Sequence, residues 1–461
     1  MNAIIVSTLL GVIMMFCSWL TSSPKIQRNI GLAGMLILIL ANLAHLKGWW
    51  VIEFDTKGML AFNPIGLFAN LTLFILTFIY LWINGEEIEK IGNHTADFYA
   101  IFFFILCGVS ILTSFDNLLM LFIGIEILSI PLYILTGADK KNLLSNEASL
   151  KYFLMGSFST GILLLGIAFI YGATGSFHLS IPIINPKTQM VTENFLMSAG
   201  LILLFVSMNF KVSAAPFHFW TPDVYDGAPT AFTSFMATIV KAAGFIAFIK
   251  VFEMQRVALG YTWSIILSFV IVATLLIGNI TAVFQRSVKR MLAYSSIAQA
   301  GFMLFALYGN SIFNTEALLL YIVAYSLATI GLFAVLVKMK DYSFESFNGL
   351  AKKHPLLAFL TTIFLFSLAG IPLTAGFFGK FYMLNALFTA NGGTWLLITA
   401  ILFAAVSIFY YFRLVQVMYF TSGEPAIHEV DKKYEFKLMV VAIIIVLLGI
   451  FPNLLFNYLY F

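Results

Sequence analysis

Charge is scarce in this 461-residue chain: Asp, Glu, Lys and Arg make up 10% of it, against 61% hydrophobic residues. Soluble domains carry about 25% charged residues, and so few charges cannot cover the surface of a water-soluble globule of this length. Cysteine is scarcer still. Cys17 and Cys107 are the two present, both within apolar runs, which excludes a disulfide framework and a thiolate metal cluster. No glycine-rich dinucleotide turn follows a strand-like pattern and no cysteine cluster is spaced for iron–sulfur ligation, so neither a dinucleotide nor an iron–sulfur cofactor is expected. The net charge of +4 is too small to point to a nucleic-acid partner. The longest polar stretches, near 173–194 and 420–435, are too short to fold alone. The run from Ala3 to Leu20 has no basic residue before it and no small-residue cleavage site after it, so it reads as a retained first span.

In place of charge the chain carries hydrocarbon nearly end to end. A bilayer is crossed by about 20 apolar residues, and fourteen such segments are expected: 2–20, 29–47, 61–83, 97–114, 116–137, 150–172, 195–219, 229–251, 261–284, 290–309, 314–337, 355–385, 393–419 and 436–459. Runs of this length suit helices and not the ten-residue strands of a barrel. The fold class is therefore an all-α polytopic membrane protein. Sixteen Lys and Arg residues fall in odd-numbered loops and five in even ones (Lys47, Lys57, Lys187, Lys250, Arg256). The positive-inside rule then puts odd loops in the cytoplasm and both termini on the opposite side.

Five charged residues lie more than two residues inside a span: Glu126, Lys211, Lys241, Lys380 and Arg413. An ionised group at the bilayer centre costs about 2.5–3.5 kcal/mol on insertion scales, which makes each a functional candidate. Glu126 lies mid-span in GIEILSIPLYILTG (124–137), where the plainer role is a carboxylate bonded to neighbouring helices. Lys241 closes a polar stripe of Thr230, Ser234 and Thr238, expected on one face of a helix around a hydrated interior. Its plainer role is packing against carbonyls. Lys211 precedes Pro216 by five residues and His218 by seven, and the proline should break that helix near 214–217. Two turns of unbroken helix would put Lys211 and His218 on one face; the histidine is either a proton relay or a packed partner. Lys380 follows Pro372 in a segment with Gly370, Gly376 and Gly379. Two broken helices five spans apart, each with a lysine near the break, mark a transporter of two structural repeats. Arg413, near the cytoplasmic end of its span beside Tyr410 and Tyr411, is expected to snorkel to the interface.

Desolvation favours a neutral lysine and a nearby carboxylate opposes that shift. A Glu–Lys pair with further lysines can therefore pass protons by changing partners. This is the chemistry of a proton relay, not of a substrate pocket.

These residues lie in motifs that resemble the antiporter-like membrane subunits of respiratory complex I and of multisubunit cation/proton antiporters. The matches are KVSAAPFHFWTPDVYDGAPTAFTSFMATIVKAAGF (211–245), KYFLMGSFSTG (151–161), YGATGS (171–176), KRMLAYSSIAQAGFM (289–303) and SLAGIPLTAGFFGKFYM (367–383). They run from about 116 to 385 in the family's order, whereas the first hundred and last sixty residues match in hydropathy alone. PDVYDGAPT, and lysine where one related subunit carries glutamate at 380, single out one member among them.

The resemblance implies three N-terminal helices (1–96), inverted repeats of helices 4–8 (97–251) and 9–13 (261–419), a C-terminal helix (436–459), and interrupted helices 7 and 12. It implies an ion pair of Glu126 with Lys211, Lys241 as central relay and Lys380 as the terminal one. It further implies neighbouring membrane subunits as partners, redox chemistry confined to those partners, and a bacterial inner membrane, or else an organelle membrane, as the location. Two other readings stay open at this point: a subunit of a cation/proton antiporter or membrane-bound hydrogenase, and a scaffold whose buried charges fix helix packing.

Overall fold

A computed structural model describes residues 1–92, 94–179, 195–308, 312–389 and 393–456. Lys187 and the end of the last expected span (457–459) lie outside the described residues. Among those described, the regular elements are helices, accompanied by isolated β-bridges. Six helices come first: α1 (Asn2–Leu20), α2 (Pro24–Leu46), α3 (Pro64–Ile88), α4 (Thr95–Ser114), α5 (Leu118–Thr136) and α6 (Leu143–Thr174). The first interrupted stretch follows as α7 (Phe195–Val212), α8 (Trp220–Gly227), α9 (Thr230–Phe235), a π turn (Met236–Val240) and α10 (Lys241–Val283). The remainder is α11 (Val288–Met303), α12 (Ile312–Val337), α13 (Leu350–Lys353), α14 (Pro355–Ala369), α15 (Ala375–Thr389), α16 (Thr394–Phe420), α17 (Lys432–Ile450) and α18 (Asn453–Phe456).

Eleven of the described helical segments are long and apolar enough to cross a membrane. The three other expected spans are helical too, and each departs for a local reason. The tenth is α11 closed by a 3₁₀ turn (Leu304–Leu307), the twelfth is split into α14 and α15, and α17 begins with Lys432, Lys433, Glu435 and Lys437. One boundary moves. A loop was expected at 252–260, but α10 runs through it. The stretch FEMQRVAL reads as polar, yet these residues favour helix and none breaks one.

The chain falls into two compact units: Met1–Leu81 with Ile88–Val212 and Val240–Ile265, and Trp82–Glu87 with Ser213–Ile239 and Ile266–Phe461. In the first, α4 packs against α1 and α5, and α6 against α7. A Cβ on Gly166 would meet the Gly200 carbonyl at 2.9 Å, and one on Gly200 would meet that of Gly166 at 2.8 Å. Small residues thus let α6 and α7 touch backbone to backbone, where lipid supplies little hydrophobic drive for association. In the second unit α12 is almost wholly buried, against α14, α15 and α17.

Both expected breaks are present. The first runs from Ser213 to Phe219 and includes Pro216; the second runs from Gly370 to Thr374 and includes Pro372. Each contains a non-glycine residue at positive φ, Ser213 (64°) and Leu373 (70°). At the second break the chain doubles back so tightly that a Cβ on Gly376 would lie 1.8 Å from the Ser367 carbonyl, so only glycine fits there.

Candidate functional site

In the first unit, Lys211 sits in the last turn of α7 and donates from Nζ to Ser129 Oγ of α5 at 2.8 Å. Ser129 spends its own proton on the Ile125 carbonyl at 2.6 Å, so towards the lysine it acts as a neutral acceptor. Glu126 lies three residues earlier on α5, one turn away on the same face. Its Oε1 is buried without a hydrogen-bond partner. Glu126 and Lys211 thus share one cluster, with a hydroxyl as the lysine's direct contact. A buried carboxylate oxygen left unbonded is costly unless it receives a proton or a water.

Lys241 belongs to the same unit and is 2% exposed. It begins α10 directly after the π turn, a feature found most often at functional sites. Thr230, Ser234 and Thr238 are buried as the stripe requires. Thr238 itself lies in the π turn, whereas Thr230 and Ser234 precede it in α9.

In the second unit, Lys380 on α15 is 7% exposed. Its Nζ donates to the Ala369 carbonyl at 2.8 Å and lies 5.0 Å from the centre of the Phe302 ring. Ala369 ends α14, so the break supplies this acceptor: the last carbonyls of a helix have no partner within it. The next carbonyl back, Leu368, accepts from Gln299 Nε2 of α11 at 3.0 Å. Gln299 Nε2 also reaches Tyr411 Oη at 3.1 Å, Gln299 Oε1 accepts from Tyr321, and Tyr411 bonds Ser295 at 2.5 Å.

The PDVYDGAPT segment owes its composition to a second set of contacts in this unit. Arg290 binds Asp223 at 2.9 Å and Asp226 at 3.6 Å. Lys289 donates to the carbonyls of Asp226 (2.8 Å) and Ala228 (2.7 Å) and lies 5.0 Å from the centre of the Tyr342 ring. Thr230 bonds the Tyr342 hydroxyl at 2.7 Å. The Lys–Arg pair opening α11 therefore anchors α8 and the turn that follows it.

Other expectations are revised. Because the first break interrupts the helix at 213–219, the two-turn relation of Lys211 to His218 does not apply. His218 is buried, with Nδ1 unbonded and its ring 4.6 Å from that of Phe219. Arg413 is half-buried, donates to the carbonyls of Val283 (3.3 Å) and Gln285 (3.0 Å), and covers the Phe344 ring. It ties down the end of α10. Two lysines assigned to loops are buried: Lys289, and Lys338, which pairs with Glu87 at 2.5 Å and lies 4.4 Å from the centre of the Tyr434 ring. Loop counting hid both because each directly abuts an apolar run. The sequence signal for Lys338 is the acidic cluster Glu86, Glu87 and Glu89, opposite in sign, at the end of another span. For Gln299 it is a carboxamide in the middle of a span.

Buried lysines beside two interrupted helices define a class, the antiporter-like membrane subunits. A model of the NADH:quinone oxidoreductase/Mrp antiporter transmembrane family matches residues 116–409, and the chain belongs to that family. It is 40% identical to NADH-quinone oxidoreductase subunit N of Cytophaga hutchinsonii, over 99% of this chain and 98% of that one. It is also similar to a chain of respiratory complex I from Thermus thermophilus, solved with bound aureothin: 30% identity, TM-score 0.84, covering 99% of this chain and 98% of the other. A chain of the Mrp complex from Dietzia sp. DQ12-45-1b shares the fold at 16% identity, with a TM-score of 0.83 over 99% of this chain and 96% of that one.

Proposed function

We propose that this chain is the antiporter-like subunit N of an NADH-quinone oxidoreductase, known as subunit 2 in mitochondria, and that it moves protons across the membrane. The near full-length identity to a subunit of that name carries the assignment. The buried lysines supply the chemistry. In this reading Glu126, Lys211, Lys241 and Lys380 are the relay in that order, and residues 97–251 and 261–419 are inverted repeats. His218 is a possible side station. Partner subunits carry out the oxidation of NADH and the reduction of quinone, and this chain responds through charge and conformation, with no redox step of its own. It lies in a bacterial inner membrane with odd-numbered loops in the cytoplasm and both termini on the other face.

The test is Lys241→Ala in the assembled complex. Proton uptake and coupled NADH oxidation fall together while the complex still assembles. Full pumping by an assembled variant would sink the relay, and loss of assembly alone would favour a scaffold role. Copurification in mild detergent separates the complex from an antiporter: NADH-oxidising subunits accompany the chain in the first case and are absent in the second.

A further inference from the structure

The break between α14 and α15 releases two adjacent carbonyls into the second unit. Ala369 takes the Lys380 ammonium and Leu368 takes the Gln299 carboxamide. Gln299 is 2% exposed. Its orientation follows from one fact: a carbonyl only accepts, so the group facing Leu368 is the amide nitrogen. The amide's own bonds then have fixed directions. Tyr321 donates to Gln299 Oε1, and Gln299 Nε2 donates to Leu368 and to Tyr411 Oη, which shares a further bond with Ser295. Both protons of the amide nitrogen are used, and two helices besides α14 converge on the side chain from α11: α12 and α16.

We infer that Gln299 is a positioning residue for Lys380: it holds the end of α14 so that the Ala369 carbonyl stays where the lysine needs its acceptor. Leu368 and Ala369 are consecutive, so displacing one carbonyl displaces the other. A backbone end with no side-chain tether inside a bilayer has no water to replace the lost bond. The freed carbonyl would then compete with Ala369 for the same ammonium. The inference rests on the reading of Lys380 as a relay residue.

The experiment uses the whole complex in inside-out membrane vesicles, measuring NADH-driven proton uptake, quinone reduction and subunit content. Gln299→Met keeps the length and removes the donor. Gln299→Glu keeps the shape, and in its ionised form cannot donate to Leu368. Gln299→His restores an N–H of similar reach. Proton uptake is expected to fall about tenfold in Gln299→Met and Gln299→Glu, the upper range for one lost hydrogen bond, and to recover in Gln299→His. Uptake within twofold of the parent in Gln299→Met, or equal loss in all three assembled variants, overturns the inference. Should Gln299→Met fail to assemble, Tyr321→Phe removes the bond to Oε1 with packing kept; a several-fold loss supports the inference and unchanged uptake overturns it. Lys380→Met, measured alongside, tests the relay separately. If it pumps normally the relay reading fails, and if it does not while Gln299→Met does, the positioning role alone fails.

Discussion

Lys211 and Lys380 stand beside the two broken helices in opposite ways. Lys211 comes before its break, at the end of α7, and bonds a side-chain hydroxyl with a carboxylate one turn away. Lys380 comes after its break and bonds the carbonyl that the break itself exposes. One lysine has a neighbour whose charge can change, while the other has a bonded partner whose charge cannot. A proton on the first is therefore adjustable from within its cluster. On the second it depends on how the backbone is held.

The contrast predicts unequal responses. The largest is expected of Lys380→Met, since among the described residues no carboxylate bonds to Lys380 that could take over its proton. Proton uptake by vesicles should drop at least about a hundredfold, and residual uptake above a tenth of the parent would erase the distinction. Lys338 offers a third environment, a lysine bonded directly to a carboxylate, and there the effect should fall on stability. Lys338→Ala removes the ammonium bonded to the buried Glu87 carboxylate and should cost about 3–5 kcal/mol, whereas a Glu87→Leu/Lys338→Met pair should restore most of it. Thermal unfolding of the purified complex reads this, and a double variant as weak as the single would contradict it. Ser129→Ala removes a neutral partner from Lys211 while leaving Glu126 in place. Pumping should fall less than about tenfold, and a loss as deep as that of Lys380→Met would make the hydroxyl the essential partner instead.

The smallest effect lies outside the spans, at Asp341. Hydroxyl bonds from Ser343 and then Ser346 hold its carboxyl below the usual range. A lowered folded pKa stabilises the loop above the unfolded value of about 3.9, and this is lost as pH falls through the folded value. Asp341→Asn should flatten the acid side of the stability profile slightly and leave pumping unchanged.

Much of this was legible in the sequence because hydrocarbon leaves few alternatives. Apolar runs of span length must be helices, and Pro216 and Pro372 must interrupt them, so the spans and both breaks follow directly. Glu126, Lys211, Lys241 and Lys380 stand out because a charge in such a run is costly to bury. What stayed hidden depends on three-dimensional contact. Lys289 and Lys338 lie where a span meets its loop, and contacts distant in sequence bury them: the Asp226 and Ala228 carbonyls and Tyr342 for the first, Glu87 and Tyr434 for the second. The π turn before Lys241 leaves no mark in residue type, since MATIV suits an α-helix as well. Gln299 resembles any polar residue in a helix until Tyr321, Tyr411 and Leu368 are brought around it.

The acceptors that Leu368 and Ala369 provide have a genetic consequence. A main-chain oxygen is present whatever the codon specifies, so the ligands of Lys380 and Gln299 cannot be deleted by any single substitution at 368 or 369. Mutational scans should find these two positions tolerant of small apolar exchanges, with intolerance appearing instead at 299, 376 and 380. A search for function that ranks positions by their sensitivity to replacement would pass over the atoms that touch the lysine.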